Sequence, residues 1–358
     1  MAKIDDRTSV LHRAIWYLVT LYWMVMMAHP FFVRFLWKYW LLRPLIIWYA
    51  PLTIHVAYCL FFFTVARVYI FISRATIGAS FDGAFVKLQL LIAYYFGKLL
   101  HGMEVHGAEN LPEDGGLIIA PHAPCLPIDI LFFLSYSNLK LRRPAGGCAD
   151  SIWHKNNFSG PTLELYGFSS EPKTLIDGLK QNRLMWVPPG GSYEAMFSRN
   201  YELEWRARIG FARVAKETGK PVIPSFTTNL QHSMPLFDFP ISGFMRRWYA
   251  VSKLPLMVHK IYLPVKMCVH FGEPLHCGRN EKPEEFARRC KKAVEDLRDR
   301  LQPPQRSLLA ALMQRLIQPG DARLQVRAAA IDRELRNESP SDENGSELSH
   351  LESCALDW

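Results

Sequence analysis

The sequence predicts an α/β domain, a mixed sheet covered by helices, preceded by an N-terminal membrane region with two transmembrane helices. Residues 14–33 and 44–66 contain no Asp, Glu, Lys or Arg. From Leu117 onward, short apolar segments alternate with longer helix-like segments, as in a sheet covered by helices. Residues 321–358 hold four arginines against nine acidic residues, within a chain whose net charge is +9. We therefore divide the chain into a membrane region (1–80), an α/β domain (81–318) and an acidic, largely disordered tail (319–358).

Both apolar segments are long enough to cross a bilayer. Each holds at least 20 residues, and a helix of about 20 residues at about 1.5 Å per residue matches a hydrocarbon core of about 30 Å. The connector 34–43 carries three basic residues, so a tight hairpin is expected. A hairpin returns the chain to its starting side. The positive-inside count then weakly favours a cytosolic domain.

The α/β domain is predicted from alternating segments. Four short apolar or β-branched segments are expected to be strands, at 117–120, 184–187, 221–226 and 266–271. Four longer segments are expected to be helices, at 128–136, 173–182, 205–218 and 284–301.

Charge and cysteine content limit the partners. Without the acidic tail the chain carries +14, which suits an anionic membrane surface or a phosphate-bearing co-substrate. Zinc-finger spacing, RNP-like motifs and dense Lys/Arg blocks are absent from the sequence, so no nucleic acid partner is expected. The seven cysteines are scattered and never form a CxxC pair. This pattern favours reduced thiols over a disulfide scaffold or a zinc site, so no metal is expected.

The first candidate site follows the apolar segment that ends at Ala120. In Pro121-His122-Ala123-Pro124-Cys125-Leu126-Pro127-Ile128-Asp129, a turn broken by proline separates an imidazole from a carboxylate. A neutral His accepts a proton from an alcohol, and a carboxylate on the far ring nitrogen fixes the tautomer. Pro127 suits the first position of a helix. The alternative is that His122 and Asp129 only cap or hydrogen-bond local backbone.

The second candidate site is the loop Val187-Pro188-Pro189-Gly190-Gly191-Ser192-Tyr193-Glu194-Ala195, which follows a predicted strand. Paired glycines let the backbone approach a ligand closely, and their amides can contact a polar headgroup or an oxyanion. A plain Pro-Gly turn is the alternative.

These segments, in this order, resemble the phosphate-type (lysophospholipid-like) acyltransferase superfamily. Its first motif is a His followed by an Asp, its third is a Pro-Glu-Gly loop after a strand, and its fourth is a Val-Pro-rich strand. Here the third corresponds to 188–194 and the fourth to 220–226. Segments 210–219 and 269–275 are similar to the helix before the fourth motif and to a late strand ending in Gly-Glu-Pro. The resemblance runs from about 103 to 301.

Within the superfamily, the chain looks most like two-span members that acylate neutral glycerolipids. This implies transfer of an acyl group from acyl-CoA, a co-substrate, to mono- or diacylglycerol, which makes triacylglycerol. No other cofactor is implied. It also implies a multi-pass protein of the endoplasmic reticulum membrane whose catalytic domain faces the cytosol. The sequence does not say whether a partner subunit is needed.

The resemblance also assigns roles to residues. His122 deprotonates the acceptor hydroxyl and Asp129 is its partner, although six residues separate the two where the superfamily has four. Substrate binding is predicted for the loop residues Pro189, Gly190, Gly191, Ser192 and Glu194. For Glu194 the alternatives are that it binds a headgroup or that it braces the loop. Arg206 and Arg208 are candidates for coenzyme A phosphates, or simply belong to a solvated surface. Cys125 is interpreted as a filler thiol in the loop.

Two features bear on the acceptor. The arginine that phosphate-acceptor members carry after the Gly of the third motif is missing, with Gly191-Ser192-Tyr193 in its place, which removes a bidentate phosphate clamp. Segment 235–265 interleaves aromatic and basic residues, which suits docking at a lipid interface. The alternative is an ordinary buried segment with a basic edge. A lysophospholipid acyltransferase and a catalytically silent membrane adaptor of the same fold remain the alternatives.

Overall fold

The computed structural model describes residues 34–76, 82–124, 128–155, 159–237, 242–302 except 254, 256 and 258, and 307–316. The predicted span 14–33, Cys125, Pro127 and the acidic tail 319–358 lie outside the described residues. Helices in the described part of the chain are α1 (Arg43–Thr76), α2 (Asp82–His101), α3 (Ile128–Tyr136), α4 (Ser151–His154), α5 (Gly160–Leu165), α6 (Pro172–Lys180), α7 (Gly191–Phe197), α8 (Gly210–Thr218), α9 (Leu230–Ser233), α10 (Ser242–Ser252), α11 (Pro283–Leu301) and α12 (Leu308–Leu316).

Seven strands of the described residues form one mixed sheet. They are β1 (Glu104–His106), β2 (Gly116–Ile119), β3 (Ala145–Cys148), β4 (Phe168–Ser169), β5 (Leu184–Val187), β6 (Val222–Thr227) and β7 (Cys268–Phe271). Their order across the sheet is β1-β7-β6-β2-β5-β3-β4. Every pair is parallel except β6 with β7, which is antiparallel.

Both faces of the central strands are buried, because helices cover each side. Ile118 and Trp186 face one side and pack in a core shared with α2 and α3. Leu117 and Met185 face the other side and pack with α6, α8 and most of α11. Strands buried on both faces have continuous apolar sequences rather than alternating ones, which explains the compositions of β2 and β5. The predicted mixed sheet covered by helices is confirmed.

The structure corrects some of the predicted segments. The strand at 184–187 and the helix at 128–136 have the predicted bounds. The helix predicted to start at Trp205 starts at Gly210, because Arg206 has a φ of 56° and residues just before Gly210 form a turn instead. Strands β1, β3 and β4 were not predicted. β1 has three residues, β4 has two, and β3 contains two glycines.

The membrane region differs in detail from the prediction. The predicted span 44–66 lies within α1, which is 34 residues long. Among the described residues, the helix long and apolar enough to cross a membrane is Gly83–His101, with 19 residues and a mean hydropathy of 1.2. No span was predicted there from the sequence. A shorter apolar stretch, Phe61–Ile72, lies in α1. The N-terminal hairpin stays a prediction.

Candidate active site

The central strand β2 delivers His122 to one edge of the sheet. β2 lies between β5 and β6, and all three strands are parallel. His122 follows the carboxyl end of β2, which ends at Ile119. In open α/β sheets, ligands bind outside the carboxyl ends of the strands. β5 ends at Val187, directly before the Gly190-Gly191 loop, so two predicted motifs meet at this edge.

Hydrogen bonding defines the tautomer of His122. Its Nδ1 lies 2.7 Å from the carbonyl oxygen of Ala123. A carbonyl oxygen only accepts hydrogen bonds, so Nδ1 carries the proton and Nε2 keeps its lone pair. Burial lowers the pKa of His122 below 6.5, while the Ala123 carbonyl and the Asp150 carboxylate oppose this shift. At neutral pH the ring is therefore neutral, with a basic Nε2.

A cavity of about 260 Å³ opens beside His122. Glu194, Arg199, Tyr201, His232 and Lys260 contribute polar groups to its lining, and Pro124, Met234 and Leu236 contribute apolar ones. The volume is several times the roughly 30 Å³ that one water molecule occupies in the liquid. It therefore has room for a group the size of glycerol beside the imidazole.

Glu194 ties the His122 segment to the glycine loop. Its Oε2 accepts a 2.8 Å hydrogen bond from the backbone N–H of His122, and its Oε1 accepts a 3.1 Å bond from the N–H of Glu204. The side chain is buried, and burial raises its pKa to about 8 against the opposing effect of these two amides. Glu194 therefore positions the backbone of His122. The predicted headgroup-binding role of Glu194 stays a prediction.

The glycine loop is a tight turn that no larger residue fits. Pro189 and Gly190 are buried, and the N–H of Gly191 donates to the carbonyl of Pro188 at 3.0 Å. A Cβ on Gly190 would lie 2.4 Å from the Cβ of Glu194. Gly191 has a φ of +54°, which is a left-handed conformation that favours glycine. Both glycines are therefore required by the packing of this loop.

The two predicted phosphate-binding arginines have different surroundings. Arg208 is exposed, and its Nη1 donates to the carbonyl oxygen of Gly190 at 3.0 Å and to that of Pro189 at 3.4 Å. Arg206, also exposed, stacks its guanidinium 4.7 Å from the centre of the Tyr193 ring. Arg208 thus hydrogen-bonds the glycine loop from its exposed side, and Arg206 packs on the ring of Tyr193 in that loop. Their contact with coenzyme A stays a prediction.

Asp150, which the sequence analysis missed, is the carboxylate whose charge acts on His122. Its Oδ1 accepts from the N–H of Ile152 at 3.2 Å, which caps α4, and its Oδ2 accepts from the Ser192 hydroxyl at 3.0 Å. The Asp150 carboxylate raises the pKa of His122, although burial has the larger, opposite effect. The sequence signal was an Asp-Ser pair after a weak strand, which is common at helix caps.

Asp129, predicted as the partner of His122, is buried in the first turn of α3. Its Oδ2 accepts from the Thr227 hydroxyl at 3.4 Å, and its Oδ1 has no hydrogen-bond partner. Burial raises its pKa to about 6. Among the described residues, no hydrogen bond joins Asp129 to His122. The pairing stays a prediction, since 125–127, between the two, lie outside the described residues.

The motif order and the sheet define a domain like those of the acyltransferase superfamily, and comparison with known proteins agrees. No family model matches the chain. A Gallus gallus protein named "DGAT1/2-independent enzyme synthesizing storage lipids" is 33% identical over 221 residues, which is 61% of this chain and 66% of the relative. The Homo sapiens protein of the same name is 31% identical over 220 residues, which is 60% of this chain and 66% of the relative.

The chain is a homologue of these enzymes. Its resemblance to the phosphate-type acyltransferase superfamily, and within it to transmembrane protein 68, is thereby confirmed. The match spans just under two thirds of the length of each of these relatives. A solved structure, the 1-acyl-sn-glycerophosphate (LPA) acyltransferase PlsC from Thermotoga maritima, is similar with a TM-score of 0.44 and 18% identity, over 69% of this chain and 96% of that one.

Proposed function

We propose that this protein transfers an acyl group from acyl-CoA to mono- or diacylglycerol and so makes triacylglycerol. The observation that carries the proposal is the His122 tautomer, whose Nε2 lone pair is available beside a 260 Å³ cavity. The names of the relatives, which are said to synthesise storage lipids, support the product class.

His122 acts as a general base in the proposed reaction. Nε2 takes the proton from the acceptor hydroxyl as the oxygen attacks the thioester carbonyl. A tetrahedral oxyanion forms, its collapse breaks the C–S bond, and the coenzyme A thiolate takes the proton back from the imidazolium. Asp150 stabilises that imidazolium by its charge, while Glu194 holds the backbone of His122 in place. No acyl-enzyme is required.

The side chain at position 192 supports a neutral acceptor over a lysophosphatidate. Ser192 stands where phosphate-acceptor members have an arginine, and its hydroxyl donates to the carboxylate of Asp150. An anion at this position would meet a carboxylate instead of a guanidinium, which is repulsive at short range. A hydroxyl of mono- or diacylglycerol carries no charge and avoids this repulsion.

We further propose that the protein works in the endoplasmic reticulum membrane, with the catalytic domain on the cytosolic side. Acyl-CoA would then arrive from the cytosol. The neutral glycerolipid would enter from the bilayer along the aromatic and basic segment 235–265. In this segment α10 places Arg246 against Phe197, with the guanidinium 4.6 Å from the ring centre.

The test is an acyl-transfer assay in membranes that lack other triacylglycerol synthesis. Labelled acyl-CoA is supplied with diacylglycerol, monoacylglycerol or lysophosphatidate, and the wild type is compared with His122→Ala. We expect labelled triacylglycerol from the wild type and at least a 100-fold loss in His122→Ala, the usual scale for removing a general base. His276→Ala, at an exposed histidine outside this cavity, is the matched control.

Three outcomes would count against the proposal. Equal triacylglycerol from wild type and His122→Ala would exclude the His122 mechanism. Labelled phosphatidate as the sole product would make the protein a lysophosphatidate acyltransferase. Correctly inserted protein that transfers no acyl group to any acceptor would favour the silent adaptor.

A further inference from the structure

Four side chains that can bind a metal lie together on the edge strand β1 and its neighbour β7, and none of them lines the cavity beside His122. The strands are parallel, with Glu104 opposite Cys268 and His106 opposite His270. Side chains two residues apart on a strand point to the same face. The intervening Val105 and Val269 pack against the core that α2 and α3 cover. The four polar side chains therefore share the opposite face.

The distances are close to those of a metal site. Ligand atoms of His106, Cys268 and His270 all lie within 4.8 Å of one another. Oε2 of Glu104 lies 3.5 Å from Nε2 of His106 and 4.0 Å from Sγ of Cys268. Around a tetrahedral zinc ion, with nitrogen at about 2.0 Å and sulfur at about 2.3 Å, two nitrogens are about 3.3 Å apart and a nitrogen and a sulfur about 3.5 Å apart. A gap of 4.8 Å must therefore close by about 1.3 to 1.5 Å.

The local packing permits this closure. His106 is exposed, and Cys268 and His270 are partly buried, so their side chains can rotate and an ion can reach them. The imidazole rings of His106 and His270 are stacked, with centres 4.8 Å apart. To bind one ion together with Cys268, each ring must rotate so that one of its nitrogens points toward the sulfur.

The donor set determines which ion suits the site. Glu104 is the one carboxylate among the four side chains, which disfavours ions that need several carboxylates, such as calcium and magnesium. Lys266 pairs with Oε1 of Glu104, Lys98 lies near Glu104 and Cys268, and Arg300 acts on His270, so a bound cation must overcome their repulsion. Imidazole and thiolate donors instead suit zinc. With Lys266 on one carboxylate oxygen, the other is directed toward the histidine and the cysteine.

We propose that His106, Cys268 and His270 bind a zinc ion, with Glu104 as the fourth ligand. β1 is the edge strand and only three residues long, and it follows the apolar helix α2 after Gly102 and Met103. A zinc ion bridging β1 and β7 would fasten the end of α2 to the catalytic sheet. We infer a structural role, because a site with four protein ligands leaves no open position for catalysis.

The sequence alone did not indicate this site. His106 and Cys268 are far apart along the chain, and the cysteines form no CxxC pair, so the sequence analysis expected no metal. Only the pairing of β1 with β7 brings the ligands together.

The test uses the full chain purified in detergent, stripped of metal, and loaded with zinc or cobalt. We expect one equivalent of zinc that survives gel filtration and is lost in Cys268→Ser. The cobalt form should show a thiolate-to-metal charge-transfer band that Cys268→Ser removes. Zinc should raise the melting temperature of the wild type but not of Cys268→Ser.

A second variant and a matched control complete the design. His106→Gln changes an exposed side chain, so folding should be preserved, and zinc affinity should fall at least tenfold. The double variant His276→Ala/Cys277→Ser removes another histidine and thiol and should bind zinc as the wild type does. Wild-type affinity in Cys268→Ser or His106→Gln, or a cobalt form without the charge-transfer band, would overturn the proposal.

Discussion

The charges next to His122 determine the pH range in which it can act as a base. Burial lowers its pKa below 6.5, the Asp150 carboxylate raises it, and the Arg208 guanidinium lowers it. The ring must be neutral to accept a proton. These three effects together set the pKa of His122. That pKa determines the acid limb of the activity profile, the range in which activity falls as the pH is lowered.

We predict that kcat/KM for acyl transfer stays constant from neutral pH down to below 6.5 and falls only at lower pH. Asp150→Asn removes a charge that raises the pKa of His122, so it should shift the acid limb to lower pH. Arg208→Gln removes a charge that lowers this pKa, so it should shift the acid limb to higher pH. The measurement is kcat/KM against pH for the three proteins.

An exposed carboxylate outside the site provides the control for this experiment. Asp177→Asn, on α6, should leave the acid limb where the wild type has it. An Asp150→Asn limb that coincides with the wild type would contradict the role given to Asp150.

Asp129 allows a second prediction, on stability. Burial raises its pKa from 3.8 to about 6, so the folded state binds more protons than the unfolded state in this range, and stability falls as the pH rises from about 4 to about 6. Asp129→Asn cannot ionise. Relative to wild type it should gain up to about 3 kcal/mol between these pH values, with no further gain above. Denaturant unfolding at pH 4, 6 and 7.5 measures this difference.

The same variant tests the predicted pairing. If Asp129 acts on His122, Asp129→Asn will lower the acid limb of kcat/KM as Asp150→Asn is expected to do. A flat stability difference between pH 4 and 6 would contradict the raised pKa of Asp129.

The two aspartates show what a sequence can reveal at this scale. His122 and Asp129 are seven positions apart, so a pairing between them was easy to propose. Asp150 reaches the same site from the end of a different strand, β3, and its link to Ser192 depends on how β3 and β5 pair. The spacing of residues along the chain does not show that β3 pairs with β5.

At the scale of elements, the glycine loop and the first turns of α7 behave as one rigid unit. A Cβ on Gly190 would lie 2.4 Å from the Cβ of Glu194 and 2.5 Å from its Oε2. Since Oε2 accepts the hydrogen bond from the N–H of His122, a displaced Glu194 also displaces the backbone of His122.

We predict that Gly190→Ala lowers kcat at least tenfold and destabilises the fold by about 1 to 3 kcal/mol, the cost of leaving buried amides unpaired. The matched control is Gly210→Ala at the start of α8, where an added Cβ meets nothing within 4 Å. Alanine favours the helix there, so stability should stay equal or rise by up to about 1 kcal/mol. Single-turnover acyl transfer and thermal melting of both variants test the pair. Equal activity in the two would show that Glu194 does not position His122.

Elements with a uniform environment were predicted well from the sequence. β5 and α3 are apolar and lie in the core, so an apolar segment with clear ends was sufficient. β3 was missed because it contains Gly146 and Gly147, which weaken a strand signal. At these positions a Cβ would lie 2.4 Å from the Gly167 carbonyl oxygen and 2.3 Å from that of Trp186. The close approach of neighbouring strands therefore requires glycine at both positions. These same glycines are the reason that β3 was not predicted from the sequence.

At the scale of the whole molecule, α1 and α2 pack together and leave one apolar surface uncovered. Gln89 of α2 donates to the carbonyl of Phe62 at 3.2 Å, and the rings of Tyr69 and Phe85 stack with centres 3.8 Å apart. Leu90 of α2 is buried toward the sheet. The opposite face of α2 exposes Leu88, Leu91, Ile92, Tyr95 and Leu99.

Exposed apolar faces of this extent are costly in water and mark a contact with protein or lipid. With a mean hydropathy of 1.2 over Gly83–His101, lipid is the contact that we expect. No membrane span was predicted in this segment from the sequence, and Lys87 and Lys98 interrupt its apolar residues. Long lysine side chains can extend their charge toward the interface while their stems remain in apolar surroundings.

We predict that a phospholipid with a photoreactive group in its acyl chain labels the exposed face of α2 in reconstituted protein. Label should appear at Leu91, Tyr95 and Leu99 and be absent from Leu90, which faces the core. The solvated face of α11 around Arg288 provides the internal control, since it lies on a charged helix. Mass spectrometry of the labelled peptides gives the distribution. Equal labelling of α2 and α11 would mean that α2 does not face hydrocarbon, and another protein surface would then have to cover its apolar side chains.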